Sequence, residues 1–245
     1  MGPIQYDDVL RARDWGLEAS FLESRMDSSV LVCLCQSMVD AKKLTDEDKR
    51  LMDWAVGSGA QMRHLQANSA LFFQMAALGG ASWIWRRLLE EGYALDKVVA
   101  KVTSSSVLGG KASRITSKLG LLCSPPYCFS YELSELIGLL VDGGVDPNER
   151  DSDGYAPLGR LNEQLRQHEA NNISIERFVP SLVRGVSVLL ERGAEIDGLL
   201  PVAETFAAKS IQECIRAKRE KVELLQQVVV PDPSGEVIRS APRSL

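Results

Sequence analysis

The sequence predicts an all-α fold, an α-solenoid of about four to five helix-turn-helix units with capping helices at both ends. Three observations lead there. Segments with apolar residues at helical spacing close repeatedly on a glycine. The intervals between those glycines are related to one another. The chain is also long enough, at 245 residues, to bury a sizeable core, and its balance of 45% hydrophobic and 25% charged residues is that of an ordinary globular protein.

Four segments share the ending. Leu51–Val56 runs into Gly59, Trp83–Glu91 into Gly92, Leu136–Gly143 into Gly144, and Val186–Arg192 into Gly193. Glycine there can adopt the left-handed conformation that closes a helix without a side-chain penalty. The intervals between these glycines are 33, 52 and 49 residues, so a single period with two enlargements describes all three.

The elements follow in order. Residues 5–24 are expected to form one helix, and Met26–Ser29 a turn or cap before a helix over Val30–Lys43. Thr45 is placed to cap the next helix, with Asp46, Glu47 and Asp48 opposing its dipole. This pair makes an atypical first unit, about 28–62, in a single repeat domain spanning 1–228. The second unit, about 63–98, pairs helices within 66–92, with Trp83 and Trp85 as packing residues. The third, about 99–149, carries an insertion at Thr103–Phe129. The fourth, about 150–198, begins with a long helix from Pro157 to about Ala170, then a loop at Asn171–Ser174, then a helix over about Ile175–Arg192 that Pro180 would bend near its start. A closing cap, 199–228, includes a helix over Ser210–Gln227 whose stripe of Ile211, Cys214, Ile215, Val222 and Leu225 covers the last open face. Residues 229–245, with Pro231, Pro233, Gly235 and Pro242, are expected to be a flexible tail.

At the level of motifs the chain resembles the ankyrin repeat family. Gly144-Val145-Asp146-Pro147-Asn148 is similar to the family's G-A-D-P-N, and Gly193-Ala194-Glu195-Ile196-Asp197 repeats its start. Asp151-Ser152-Asp153-Gly154-Tyr155-Ala156-Pro157-Leu158 is similar to D-x-x-G-x-T-P-L. Met75–Gly80 is similar to the A-A-x-x-G junction between paired helices, and Gly92 lies 12 residues beyond Gly80. The first glycine interval equals the family's 33-residue period; the others exceed it by 19 and 16, which makes the third and fourth units enlarged. The histidine that follows T-P-L in the family is replaced by Gly159 here. Of the Thr-Pro helix start only Pro157 survives, and proline suits a first helical turn.

Composition removes several classes of function. A net charge of −5 and a pI near 5.3 oppose general nucleic-acid binding, which needs a basic excess. Runs such as Val30–Cys35 and Leu199–Val202 are too short to span a bilayer. Met1–Arg13 is mixed and charged, without the order of a signal peptide, so a cytoplasmic location is expected. Gly109-Gly110-Lys111-Ala112 is no phosphate loop, since that motif needs glycine at Ser105 and a hydroxyl at Ala112. The two histidines, His64 and His168, stand in no catalytic motif, and no catalytic residue, metal or cofactor is expected. Cys33, Cys35, Cys123, Cys128 and Cys214 read as buried thiols; the alternative is a disulfide or metal clip between Cys123 and Cys128. Between Asp96 and Glu132 there is no acid, whereas Lys97, Lys101, Lys111, Arg114 and Lys118 all fall there. That segment is either a solvated loop with a lengthened inner helix or a basic surface for an acidic partner.

The resemblance implies a non-catalytic module, monomeric on its own, that binds another protein on a concave face. Family contact positions carry over to Arg150, Ser152, Asp153, Tyr155, Glu163 and Gln164, with Arg150 and Tyr155 as anchors. Alternative readings are a bacterial immunity protein that neutralises a toxin by direct binding, and a secreted effector that captures a host protein.

Overall fold

A computed structural model of the chain describes residues 3–26, 28–93, 101–105, 111–115, 117–124, 127–170, 176–195 and 206–228. They hold twelve α-helices and one two-stranded antiparallel sheet. The helical expectation therefore stands, and the sheet is an addition to it. No helix among the described residues is long and apolar enough to cross a membrane.

Two helices, α1 (Tyr6–Asp14) and α2 (Ala19–Arg25), occupy the region expected to hold one. Gly16 takes φ +68° and the Leu17 amide returns to the Ala12 carbonyl at 2.9 Å, which stops the first helix. Next come α3 (Val30–Ala41), which Ser29 caps, and α4 (Asp46–Gly57), where Thr45 and Asp48 form the expected reciprocal cap. The inner helix of the second unit is split into α5 (Met62–Ala67) and α6 (Ser69–Met75), because Asn68 leaves helical geometry at ψ 57°. The 76–80 junction then leads to α7 (Ala81–Glu90).

The 103–129 insertion is not a loop with a lengthened helix. It contains β1 (Lys101–Ser105) paired with β2 (Lys111–Ile115), Thr103 opposite Ser113, followed by the short α8 (Lys118–Leu122). Helix α9 (Leu133–Asp142) completes that unit. The fourth unit holds α10 (Pro157–Ala170), with the expected bounds, and α11 (Val179–Glu191). Pro180 falls in the first turn of α11, where its missing N–H has no helical acceptor to lose, so it requires no bend. The last helix, α12 (Phe206–Val228), begins four residues earlier than expected. Ile215 packs against the core; the other members of the proposed stripe, the 171–174 loop, 199–205 and the 229–245 tail lie outside the described residues and side chains.

Each of the four predicted glycines ends its helix in one way. Gly59, Gly92, Gly144 and Gly193 have φ between +83° and +92°. The residue after each returns its amide to the carbonyl five residues earlier: Ala60 to Ala55 (2.9 Å), Tyr93 to Leu88 (2.9 Å), Val145 to Leu140 (3.0 Å) and Ala194 to Leu189 (2.9 Å). Those bonds satisfy terminal carbonyls that a helix cannot satisfy itself. They also turn Tyr93, Val145 and Ala194 into the core, where all three are buried.

Packing links helices near in the chain and some further apart. Helix α3 packs on α4, α5 and α6, while α7 packs on α9, α9 on α11, and α11 on α12. A Cβ on Gly185 would come within 3.1 Å of Leu133 and 3.2 Å of Ile137, so that glycine permits the close approach of α11 to α9. In the second unit Phe72 lies between Trp85 (4.3 Å, 16°) and Tyr93 (4.5 Å, 8°), and the Trp85 indole donates to the Phe72 carbonyl at 3.1 Å. Trp85 is thus a core residue, whose polar edge is satisfied as burial demands. Ion pairs tie successive helices on the outside: Arg87 of α7 to Asp53 of α4, Arg86 of α7 to Glu135 of α9, and Arg192 of α11 to Asp142 of α9. Such exposed pairs add little each; apolar burial holds the helices together.

Candidate functional site

The most completely constructed surface feature is the turn between α9 and α10. Asp151 organises it. Its Oδ1 accepts from the amides of Asp153 (2.9 Å) and Tyr155 (3.0 Å), and its Oδ2 accepts from Arg160 Nε at 2.8 Å. The Asp151 amide donates to the Tyr155 carbonyl (3.0 Å), and the Gly154 amide to the Asp151 carbonyl (2.9 Å). Gly154 sits at φ +83°, a conformation that this tight reversal needs and that a side chain would oppose. The Asp151 side chain is only 1% exposed, so its charge must be matched.

Arg160, from the first turns of α10, supplies the match. It pairs with Asp151 and also reaches Asp153 Oδ2 at 2.8 Å, and its guanidinium lies 4.6 Å from the centre of the Tyr155 ring. Burial opposes its charge, but the hydrogen bonds it donates to Asp153 and Asp151 outweigh this and raise its pKa above the ordinary arginine value. The network is saturated on its inner side, so it fixes a shape and leaves no free acid–base pair there.

A second residue anchors the turn to its neighbour. Asn148 Nδ2 donates to the Gly193 carbonyl at 3.0 Å, and its Oδ1 accepts from the Glu195 amide at 2.6 Å. One amide side chain thus bridges the glycine loop of the third unit to that of the fourth.

Of the six expected contact residues, the structure brings four together at this tip. Arg150, Ser152 and Asp153 are exposed and Tyr155 is half-buried. Arg150 donates to the Gly154 carbonyl at 2.9 Å and stands 3.6 Å from Glu195. Gln164 is half-buried on α10. Glu163 departs from the expectation: it is buried, at 8% exposure, so it lies off the exposed side of the inner helix. Of the residues that frame the tip, Asp151 and Asn148 stand in the two motifs without an assigned role and Arg160 stands in neither; an aspartate three residues before a glycine is a turn signal.

Elsewhere, buried carboxylates serve the fold. Glu23 accepts from the amides of Val30 and Gln61, both at 2.9 Å, and Asp48 accepts from the Tyr6 hydroxyl at 2.9 Å. Burial and that bond push the Tyr6 hydroxyl up to about 12. Glu132 accepts from the amides of Gly80 (2.6 Å) and Ser82 (2.8 Å), capping α7 from another unit. Cys33, Cys35, Cys123 and Cys128 are free thiols, with no bridge between the last two. Burial pushes Cys33 up to about 11, Cys35 and Cys128 up to about 12, and Cys123 higher still, which suppresses the reactive thiolate. Among the described residues no group of three or more His, Cys, Asp or Glu side chains could hold a metal ion. An open groove of about 420 Å³ lies between Pro3–Tyr6 and α3, lined by Val32, Cys33, Gln36 and Asp40; it brings together no set of residues with an evident chemistry.

No family model matches the chain, and neither a curated protein nor a solved structure matches it.

Proposed function

We propose that the chain is a non-catalytic protein-binding module, an ankyrin-like solenoid that meets its partner at the 150–155 tip and the adjoining face of α10. The observation that carries this reading is the Asp151 network. It orders Arg150, Ser152, Asp153 and Tyr155 before any partner arrives, through four bonds made within residues 151–155 and one arginine. A surface that is already ordered avoids much of the entropy loss that a mobile loop would suffer on binding. Tyrosine and arginine are the residue types that most often dominate such interfaces. The ankyrin-like reading is further supported by the four glycine-closed helix ends and by the Asn148 bridge between successive loops.

Affinity capture tests it. The wild-type chain is expected to retain a stoichiometric protein partner from lysate of its own cells. Arg150→Ala with Tyr155→Ala is expected to lose that partner, by about tenfold or more in affinity. Both positions are at or near the surface, so thermal stability should change by no more than about 1 kcal/mol. Recovery of no stoichiometric partner, or equal recovery by both chains, contradicts the reading.

A further inference from the structure

A second surface lies at the opposite end of α11. The 127–131 loop and the turn at Glu176–Phe178 come from different units and are joined by the Ser181 hydroxyl, which donates to the Ser130 carbonyl at 2.7 Å. Phe178 is flanked there by Phe129 (ring centres 5.2 Å apart) and Tyr131 (5.5 Å), and the Arg177 guanidinium lies 4.6 Å from its ring centre. Tyr131 is 69% exposed, an unusual exposure for a large aromatic that has rings to pack against. Arg177 is exposed, as is Arg184 in the second turn of α11. Neither forms an ion pair among the described residues; Arg184 donates only to the Pro180 carbonyl at 3.2 Å. Arg86, Arg87 and Arg192, by contrast, each hold a carboxylate of a neighbouring helix. Arg177, over the Phe178 ring, and Arg184, further along α11, are therefore exposed cations without a carboxylate partner among the described residues.

We infer that this face docks an acidic linear segment of another protein, with carboxylates on Arg177 and Arg184 and an aromatic side chain against Tyr131 and Phe178. Exposed Arg177 and Arg184 outnumber the one acid of the turn, Glu176, and this balance selects the acidic partner. Aromatic rings beside arginine also suit single-stranded nucleic acid, but the net negative charge of the chain opposes a polyanion with a charge at every residue. The 13 residues of α11 separate this face from the 150–155 tip by about 20 Å. The two surfaces are distinct, and this inference does not depend on the tip reading.

A fluorescent, glutamate-rich peptide carrying tryptophans serves as the probe with the full chain. It is expected to bind wild type, to bind Tyr131→Ala about tenfold more weakly, and to lose binding to the Arg177→Glu, Arg184→Glu double variant. Replacing its tryptophans by alanine should weaken it, and a lysine-rich analogue should not bind. The tip variant Arg150→Ala with Tyr155→Ala should bind the probe as wild type does. Thermal melts confirm that each variant is folded. Any of four results overturns the inference: no binding up to about 1 mM, equal binding by wild type and the patch variants, tighter binding of oligouridylate than of the peptide, or self-association of the chain that buries Tyr131.

Discussion

Helices α4, α7, α9 and α11 all finish on the same glycine device, yet no two of them start alike. Their C-terminal ends are closed by Gly59, Gly92, Gly144 and Gly193 with one hydrogen-bond pattern. At the starts, α4 has its own Thr45–Asp48 cap, and α7 borrows the carboxylate of Glu132 from another unit. The α9 cap residue donates its amide to Ser130 Oγ at 3.2 Å, and α11 begins on Phe178 with proline in its first turn. The ends are set by local backbone chemistry, and beside the Gly193 end, which Asn148 reaches, lies the 151–155 turn held by Arg160. The starts differ in reach: those of α4 and α9 are local, whereas α7 depends on Glu132 and α11 is joined to the 127–131 loop through Ser181, beside the exposed Tyr131. A protein built this way has its helix ends fixed residue by residue and two of these helix starts fixed only when distant segments meet.

Breaking the Asp151 network should have the largest effect. Asp151→Ala leaves Arg160, with a side chain only 14% exposed, without its buried partner and strands two amides. The expected loss is about 3–5 kcal/mol in a denaturant titration. A loss below about 1 kcal/mol would mean that water replaces the carboxylate and the tip is not the rigid side. Leu140→Ala and Leu189→Ala come next. Both leucines are fully buried, and their carbonyls accept the closing bonds, so each should cost roughly 2–5 kcal/mol. Unequal costs would show that the third and fourth units pack differently.

On the other side, Glu132→Ala should lose about 1–2 kcal/mol, the usual range for a helix cap. Its combination with Leu140→Ala should be additive, because the two positions lie eight residues apart along α9, about 12 Å. Gly144→Ala should cost about 1 kcal/mol because φ is +90°, although a Cβ there meets no atom within 4 Å. A neutral result would show that the end is less constrained than its three counterparts.

The legibility of the fold divides along the same line. The helix ends, the Thr45 cap and the 157–170 helix could be read directly because each is decided within a few residues. The Glu132 bonds to Gly80 and Ser82 span 52 and 50 positions, and the Glu23 bond to Gln61 spans 38; no local pattern announces them. The pairing of 101–105 with 111–115 is not legible because its strands are mostly short polar and basic residues, which show no alternation of apolar side chains. At the candidate site, the tip was legible as a motif, while its frame was not: Arg160 meets Asp151 only once α10 folds back. Glu163 was assigned to an exposed face by family position, and the register of α10 instead buries it.

Amide hydrogen exchange on the chain alone tests the claim of a pre-ordered tip most directly. The amides of Asp151, Asp153, Gly154 and Tyr155 each have a bonded acceptor. They should exchange far more slowly than an unstructured loop, with protection that Asp151→Ala removes. Exchange of Asp153, Gly154 and Tyr155 at random-coil rates in the wild-type chain would contradict the account.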